Sequence, residues 1–150
     1  MLLERYTYKI GANYLQYRFD SEGPRGKIGK MVLYTYLTTW DGISYYNLGF
    51  GDYDDVTGRL NDLAVSDNGD RDKILMTVAL TALEFTSQFP DAMIVIRGST
   101  SSRTRLYQMG IARNYREIAQ IFDIQGVTME GESVPFRKGE NYRSFLASRK

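Results

Sequence analysis

Met93-Ile94-Val95-Ile96-Arg97-Gly98-Ser99-Thr100-Ser101-Ser102-Arg103-Thr104-Arg105-Leu106-Tyr107 runs from an apolar, β-branched stretch through a hydroxyl-rich turn into helical spacing. Met93 to Ile96 reads as a strand, and the residues after the turn read as a helix. The first turn of a helix leaves backbone N–H groups without partners, and the helix dipole adds partial positive charge there. Arg97, Arg103 and Arg105 place three guanidinium groups around those donors. The stretch is therefore a candidate seat for a small anion, a phosphate, carboxylate or nucleotide, with Gly98, Ser99 and Thr100 supplying further donors. On a second reading, Ser101 or Ser102 simply caps the helix and the arginines pair with aspartates upstream. Arg103 carries the most weight, because a cation in the first helical turn opposes the dipole and calls for an anionic partner.

Working back from this strand, Lys73 to Phe89 has helical spacing, with Ile74, Val78, Ala82, Phe85 and Phe89 on one stripe. Asp70 or Asp72 can cap its start, and Pro90-Asp91 ends it. The segment Gly51 to Asp72 is rich in aspartate and carries the short strand candidate Leu60 to Val65. Its carboxylates, Asp52, Asp67 and Asp70 among them, are secondary site candidates. They lack the ligand order of a calcium loop, and a solvated turn with a helix cap accounts for them. Earlier still, Tyr6–Ile10, Tyr14–Phe19, Ile28–Thr38 and Ile43–Phe50 read as strands. Ser21 to Gly26 is a loop, and Asp41-Gly42 signals a hairpin turn with positive φ at both central residues. The twelve tyrosines are most simply half-buried strand residues.

Working forward, Tyr107, Ile111, Tyr115, Ile118 and Phe122 extend the second helix through Gly110. Val127 to Glu130 is the last strand candidate, and Glu140 to Arg149 reads as a short charged helix docked by Tyr142, Phe145 and Leu146. A strand–helix–strand passage crosses over right-handedly, so Met93–Ile96 is expected to run parallel to Ile43–Phe50 or Leu60–Val65. Antiparallel strands followed by helices define an α+β fold. At 150 residues, with 43% hydrophobic and 25% charged, the chain reads as one domain, 1–150.

Two absences narrow the chemistry. The chain has no cysteine and no histidine, which removes thiolate and imidazole nucleophiles, bases and metal ligands. No metal site is expected on these grounds. A net charge of +1 argues against a general nucleic-acid binder. There is no apolar run of membrane-spanning length and no signal-peptide core, so the expectation is a cytoplasmic protein without a membrane partner. A protein partner, for instance in a toxin–antitoxin pair, stays open.

The order of elements, with Leu106-Tyr107 and Gly110-Ile111 on the second helix, resembles the second half of a Gcn5-related N-acetyltransferase. The resemblance implies acyl-CoA as cosubstrate and Tyr107 as the catalytic proton donor. At the place of that superfamily's pyrophosphate loop stands Ser66-Asp67-Asn68-Gly69-Asp70-Arg71, whose aspartates would repel a pyrophosphate. The chain also resembles a family of small uncharacterised bacterial proteins through Asn47-Leu48-Gly49-Phe50-Gly51-Asp52, Asn68-Gly69-Asp70 and Gly98-Ser99-Thr100 with the Arg-Thr-Arg-Leu-Tyr run after it. That likeness implies no particular reaction.

Overall fold

The alternation Tyr17, Phe19, Ser21 against Arg18, Asp20, Glu22 sets one face of the second strand inward, and the same period repeats in its neighbour. In the computed structural model, which describes residues 4–61 and 68–150, the strands are β1 (Lys9–Ile10), β2 (Gln16–Gly23), β3 (Gly26–Trp40), β4 (Ile43–Tyr53), β5 (Leu60–Asn61), β6 (Ala92–Ile96), β7 (Phe122–Val127), β8 (Ser133–Pro135) and β9 (Ser144–Arg149). The helices are α1 (Arg71–Gln88), α2 (Ser101–Arg113) and the single turn α3 (Tyr115–Ile118). Among the described residues the strands form one mixed sheet in the order β1-β2-β3-β4-β6-β9-β7-β8, with β5 against β4. The fold is α+β, as the order of patterns implies. No helix among the described residues is long and apolar enough to cross a membrane.

Two compact units are distinguished along the chain. The first holds Met1–Tyr34 and Gly49–Gln88. In it, β2 and β3 pair antiparallel from Gln16↔Leu33 to Gly23↔Gly26, so the expected loop is a two-residue turn, Pro24-Arg25. Helix α1 covers the face bearing Tyr17, Phe19 and Tyr34. Phe85 stacks on Tyr34 at 4.2 Å between centroids, and the Tyr34 hydroxyl shares a hydrogen bond with Thr81 at 3.0 Å. The buried stripe of α1 includes Thr77, Thr81 and Thr86, which an apolar-periodicity reading overlooks. Each can be buried because its hydroxyl donates back to a carbonyl of its own helix, at 2.7–2.8 Å.

The second unit holds Thr35–Leu48 and Phe89–Lys150. Asp41 and Gly42 both have positive φ, 52° and 77°, as the hairpin requires. Strand β6 pairs parallel with β4 from Ser44↔Ala92 to Leu48↔Ile96, the crossover arrangement anticipated above. Helix α2 does run through Gly110, which is buried. It stops at Asn114, whose side chain and main-chain N–H both donate to the Gly110 carbonyl, at 3.0 and 3.1 Å. Phe122 therefore opens β7, and the strand expected at 127–130 lies earlier, at Phe122–Val127.

The larger correction concerns the C-terminus. Residues 144–149 form not a helix but β9, between β6 and β7 and antiparallel to both. Tyr142, Phe145 and Leu146 mimic a helical stripe, yet Phe145 and Ala147 alternate as strand residues and are buried. A central strand is covered on both faces and loses the clean polar alternation that marks a surface strand.

Candidate functional site

The β6–α2 turn leaves the sheet at the carboxyl end of the parallel β4/β6 pair, the edge where open sheets commonly hold ligands. Gly98 is needed there for close approach. A Cβ on it would fall 2.4 Å from the Thr104 nitrogen and 2.6 Å from the Arg103 Cβ. The Gly98 N–H donates to the buried Thr104 hydroxyl at 3.0 Å, and that hydroxyl donates on to the Thr100 carbonyl at 3.2 Å. Thr100, in extended conformation, caps α2, its Oγ1 accepting from the Arg103 N–H at 3.2 Å. Thr100 thus takes the capping role that the second reading gave to Ser101 or Ser102, because its side chain reaches the N–H three residues on.

Three of the turn's donors are therefore used inside the fold. No intrahelical carbonyl can reach the N–H groups of Ser101 and Ser102. Both serines are exposed, as are Ser99, Thr100, Arg97 and Arg105, whereas Arg103 and Tyr107 are half-buried. Ser99, Arg103 and Tyr107 each engage a partner within the protein. The first turn of α2 holds no acidic residue. The arginines that remain outward are thus Arg97 and Arg105.

The acidic candidates separate from one another. Asp67 lies outside the described residues. Asp52 pairs with Lys30 at 2.5 Å, and the Lys30 side chain is only 5% exposed. Lys30 reaches this position because it faces Phe19 in the β2–β3 register, on the covered side of the sheet. Asp70, just before α1, accepts hydrogen bonds from the hydroxyls of Tyr6 and Ser21 on Oδ2. Its Oδ1 is buried without a hydrogen-bond partner. Burial first, and then the Asp70 carboxylate beside it, raise the Tyr6 phenol above its ordinary range. Lys73 lies over the Tyr6 ring, 4.2 Å from its centroid. Asn68 donates to Ser21 Oγ at 3.2 Å and to the Gly26 carbonyl at 2.9 Å, and accepts from the Arg25 N–H at 2.7 Å. A Cβ on Gly23 would meet the Asn68 carbonyl at 2.0 Å. Asn68-Gly69-Asp70 is thereby a clasp on the β2–β3 hairpin and on Tyr6. Among the described residues no group of three or more acidic side chains could hold a metal ion.

A family model described as a family of unknown function (DUF6934) matches residues 2–150. The chain belongs to this family. No curated protein and no solved structure matches it. Membership spans the β6–α2 turn, the clasp and the Lys30–Asp52 pair alike, and assigns none of them a role.

Sequence reasoning overlooked Lys30, Tyr6 and Ser21. A lysine flanked by glycine in a strand looks like a solvent-facing residue. The available signal was its place in the inward alternation, between Ile28 and Val32.

Proposed function

We propose that the protein binds a small anion, a phosphate or carboxylate group, at the start of α2. The Ser101 and Ser102 N–H groups and hydroxyls would meet it, with Arg97 and Arg105 balancing its charge. The observation that carries this reading is the first turn of a 13-residue helix that begins with two exposed serines and holds no acid to oppose an incoming anion. Gly98, Thr100 and Thr104 then act as the frame that holds the turn, and Arg103 as part of that frame through its main chain. A thermal-shift series with inorganic phosphate, pyrophosphate and nucleotides at matched ionic strength tests it. A native-state ligand raises the melting temperature by mass action. The reading fails if no anion in the series raises it, or if Arg97→Ala with Arg105→Ala leaves the rise unchanged.

Acyl transfer from an acyl-CoA is a second reading, favoured by one feature: α1 joins β4 to a parallel β6, which leads into the helix carrying Tyr107. Tyr107 would act there as proton donor. Calorimetry with acetyl-CoA separates the two readings, since a phosphate-only site gives no dependence on the acyl group.

A further inference from the structure

In the first unit, residues 4–10 form an arm whose anchor is Tyr6, only 8% exposed. The Tyr6 N–H donates to Thr77 Oγ1 at 2.8 Å, its hydroxyl donates to Asp70, and its ring stacks on Phe19 at 5.7 Å between centroids. Tyr8 meets Tyr17 edge-on at 5.7 Å and donates to Glu84 at 3.4 Å. The arm then pairs with β2 for two residues, Lys9↔Arg18 and Ile10↔Tyr17. Every one of these partners lies on the far side of a short turn, Gly11 to Tyr14.

That turn is strained. Asn13 and Tyr14 are non-glycine residues at positive φ, 63° and 59°. Asparagine enters this region readily, but a side chain as bulky as tyrosine is an outlier there. Such strain persists where the surroundings over-determine it. Around this turn they are sparse: residues 11–14 are all exposed, and the bonds inside it, Tyr14 N–H to Gly11 and Leu15 N–H to Ala12, are 3.4 and 3.5 Å long. The Tyr14 carbonyl accepts from the Tyr17 hydroxyl at 2.8 Å. Just beyond, Leu15 is fixed to β3, its carbonyl accepting from the Tyr34 N–H at 2.8 Å. The strain is therefore confined to a four-residue hinge between the arm and a fixed strand.

We infer that the seat of this arm is an interface, and that its occupant is the same arm of a second copy of the chain, exchanged reciprocally. Opening the hinge to extended backbone returns Asn13 and Tyr14 to negative φ. Each arm then makes, with Thr77, Asp70, Phe19, Tyr17 and Glu84 of the second copy, the contacts it makes within its own chain. No new complementary surface is required, because the seat already fits its occupant. The balance lies between strain released at two hinges and freedom lost on association. Short hinges under strain tip it toward exchange, and mass action raises the share of dimer with concentration.

Refolding from urea at rising protein concentration, followed by sedimentation velocity, should give a species of twice the 17.2 kDa chain mass, its share growing with concentration. In dimers refolded from equal parts of isotope-labelled and unlabelled chain, isotope-filtered NMR should show contacts between the Tyr6 ring of one copy and the Phe19 ring of the other. Glycine takes positive φ without strain, so Asn13→Gly with Tyr14→Gly should lose the dimer and keep the circular dichroism of the monomer. A wild-type chain that refolds only to monomer at the highest concentration overturns the inference. So does a dimer whose Tyr6–Phe19 contacts stay within one copy, or one whose share the two glycines leave undiminished.

Discussion

The two units bury different kinds of core. In the first, the covered face of the sheet is laced with polar groups: Lys30 against Asp52, Tyr34 against Thr81, the Tyr6 N–H on Thr77 Oγ1 and its hydroxyl on Asp70. In the second, Phe136 lies between Tyr115, Tyr142 and Phe145, with ring centroids 5.4–6.0 Å apart, and Ile94 and Ala147 fill the sheet below. Apolar cores tolerate exchange among residues of similar volume, whereas a polar core is only as good as its last satisfied partner. The first unit should therefore fail one partner at a time, and the second by loss of volume.

The largest effect is expected from Phe145→Ala. Phe145 is fully buried and touches Phe136 and Tyr142, so its truncation should cost about 3–5 kcal/mol. Urea midpoints at constant slope measure it, and no single second substitution should restore the loss. Next comes Lys30→Met, which takes the ammonium partner from the Asp52 carboxylate at a cost of about 3 kcal/mol. Here the contrast sharpens: adding Asp52→Leu should recover most of the stability, because the carboxylate whose ammonium was removed goes with it. If the double variant is no better than the single one, the Lys30–Asp52 pair is not what holds that position.

Smallest at neutral pH is Tyr34→Phe, which gives up the Thr81 hydrogen bond and about 1 kcal/mol. Its larger consequence lies at alkaline pH. Burial raises the phenols of Tyr6, Tyr8, Tyr17 and Tyr34, all in the first unit. Tyrosines in the unfolded chain lose their protons near pH ~10, while these keep theirs in the fold. Stability is therefore constant below that pH and falls as pH rises above it. Tyr34→Phe should make the alkaline decline shallower. An equally steep decline in the variant would show that Tyr34 does not contribute to it.

The same contrast explains what could be read from the residues. The β2 and β3 runs and the start and end of α1 in the first unit follow from period-two alternation and turn chemistry, as the Asp41-Gly42 hairpin does in the second. The first unit's core was less legible, since Thr77, Thr81 and Lys30 are polar by composition and buried only through bonds that tertiary structure supplies. In the second unit the aromatic core residues were visible, but their element was not. Tyr142, Phe145 and Leu146 fit a helix as well as a strand, and only pairing with β6 and β7 decides between them. Gly126 carried a hint of that: a Cβ there would sit 2.3 Å from the Tyr142 ring, so β7 has to be bare where the aromatic crosses it. At the candidate site, the strand-to-helix turn and its cap were legible in type. Which donors the cap consumes depends on Thr104 folding back onto Gly98, and no local pattern announces that contact.

The anion reading of the α2 N-terminus is tested most directly by an amide-resolved NMR titration with inorganic phosphate. Saturable shifts should be greatest at the Ser101 and Ser102 N–H resonances, and should disappear in the Arg97→Ala, Arg105→Ala double variant. The Gly98 and Arg103 N–H groups, already bonded to Thr104 and Thr100, should move little. Phosphate that leaves Ser101 and Ser102 unmoved, or moves them equally without the two arginines, would contradict the account.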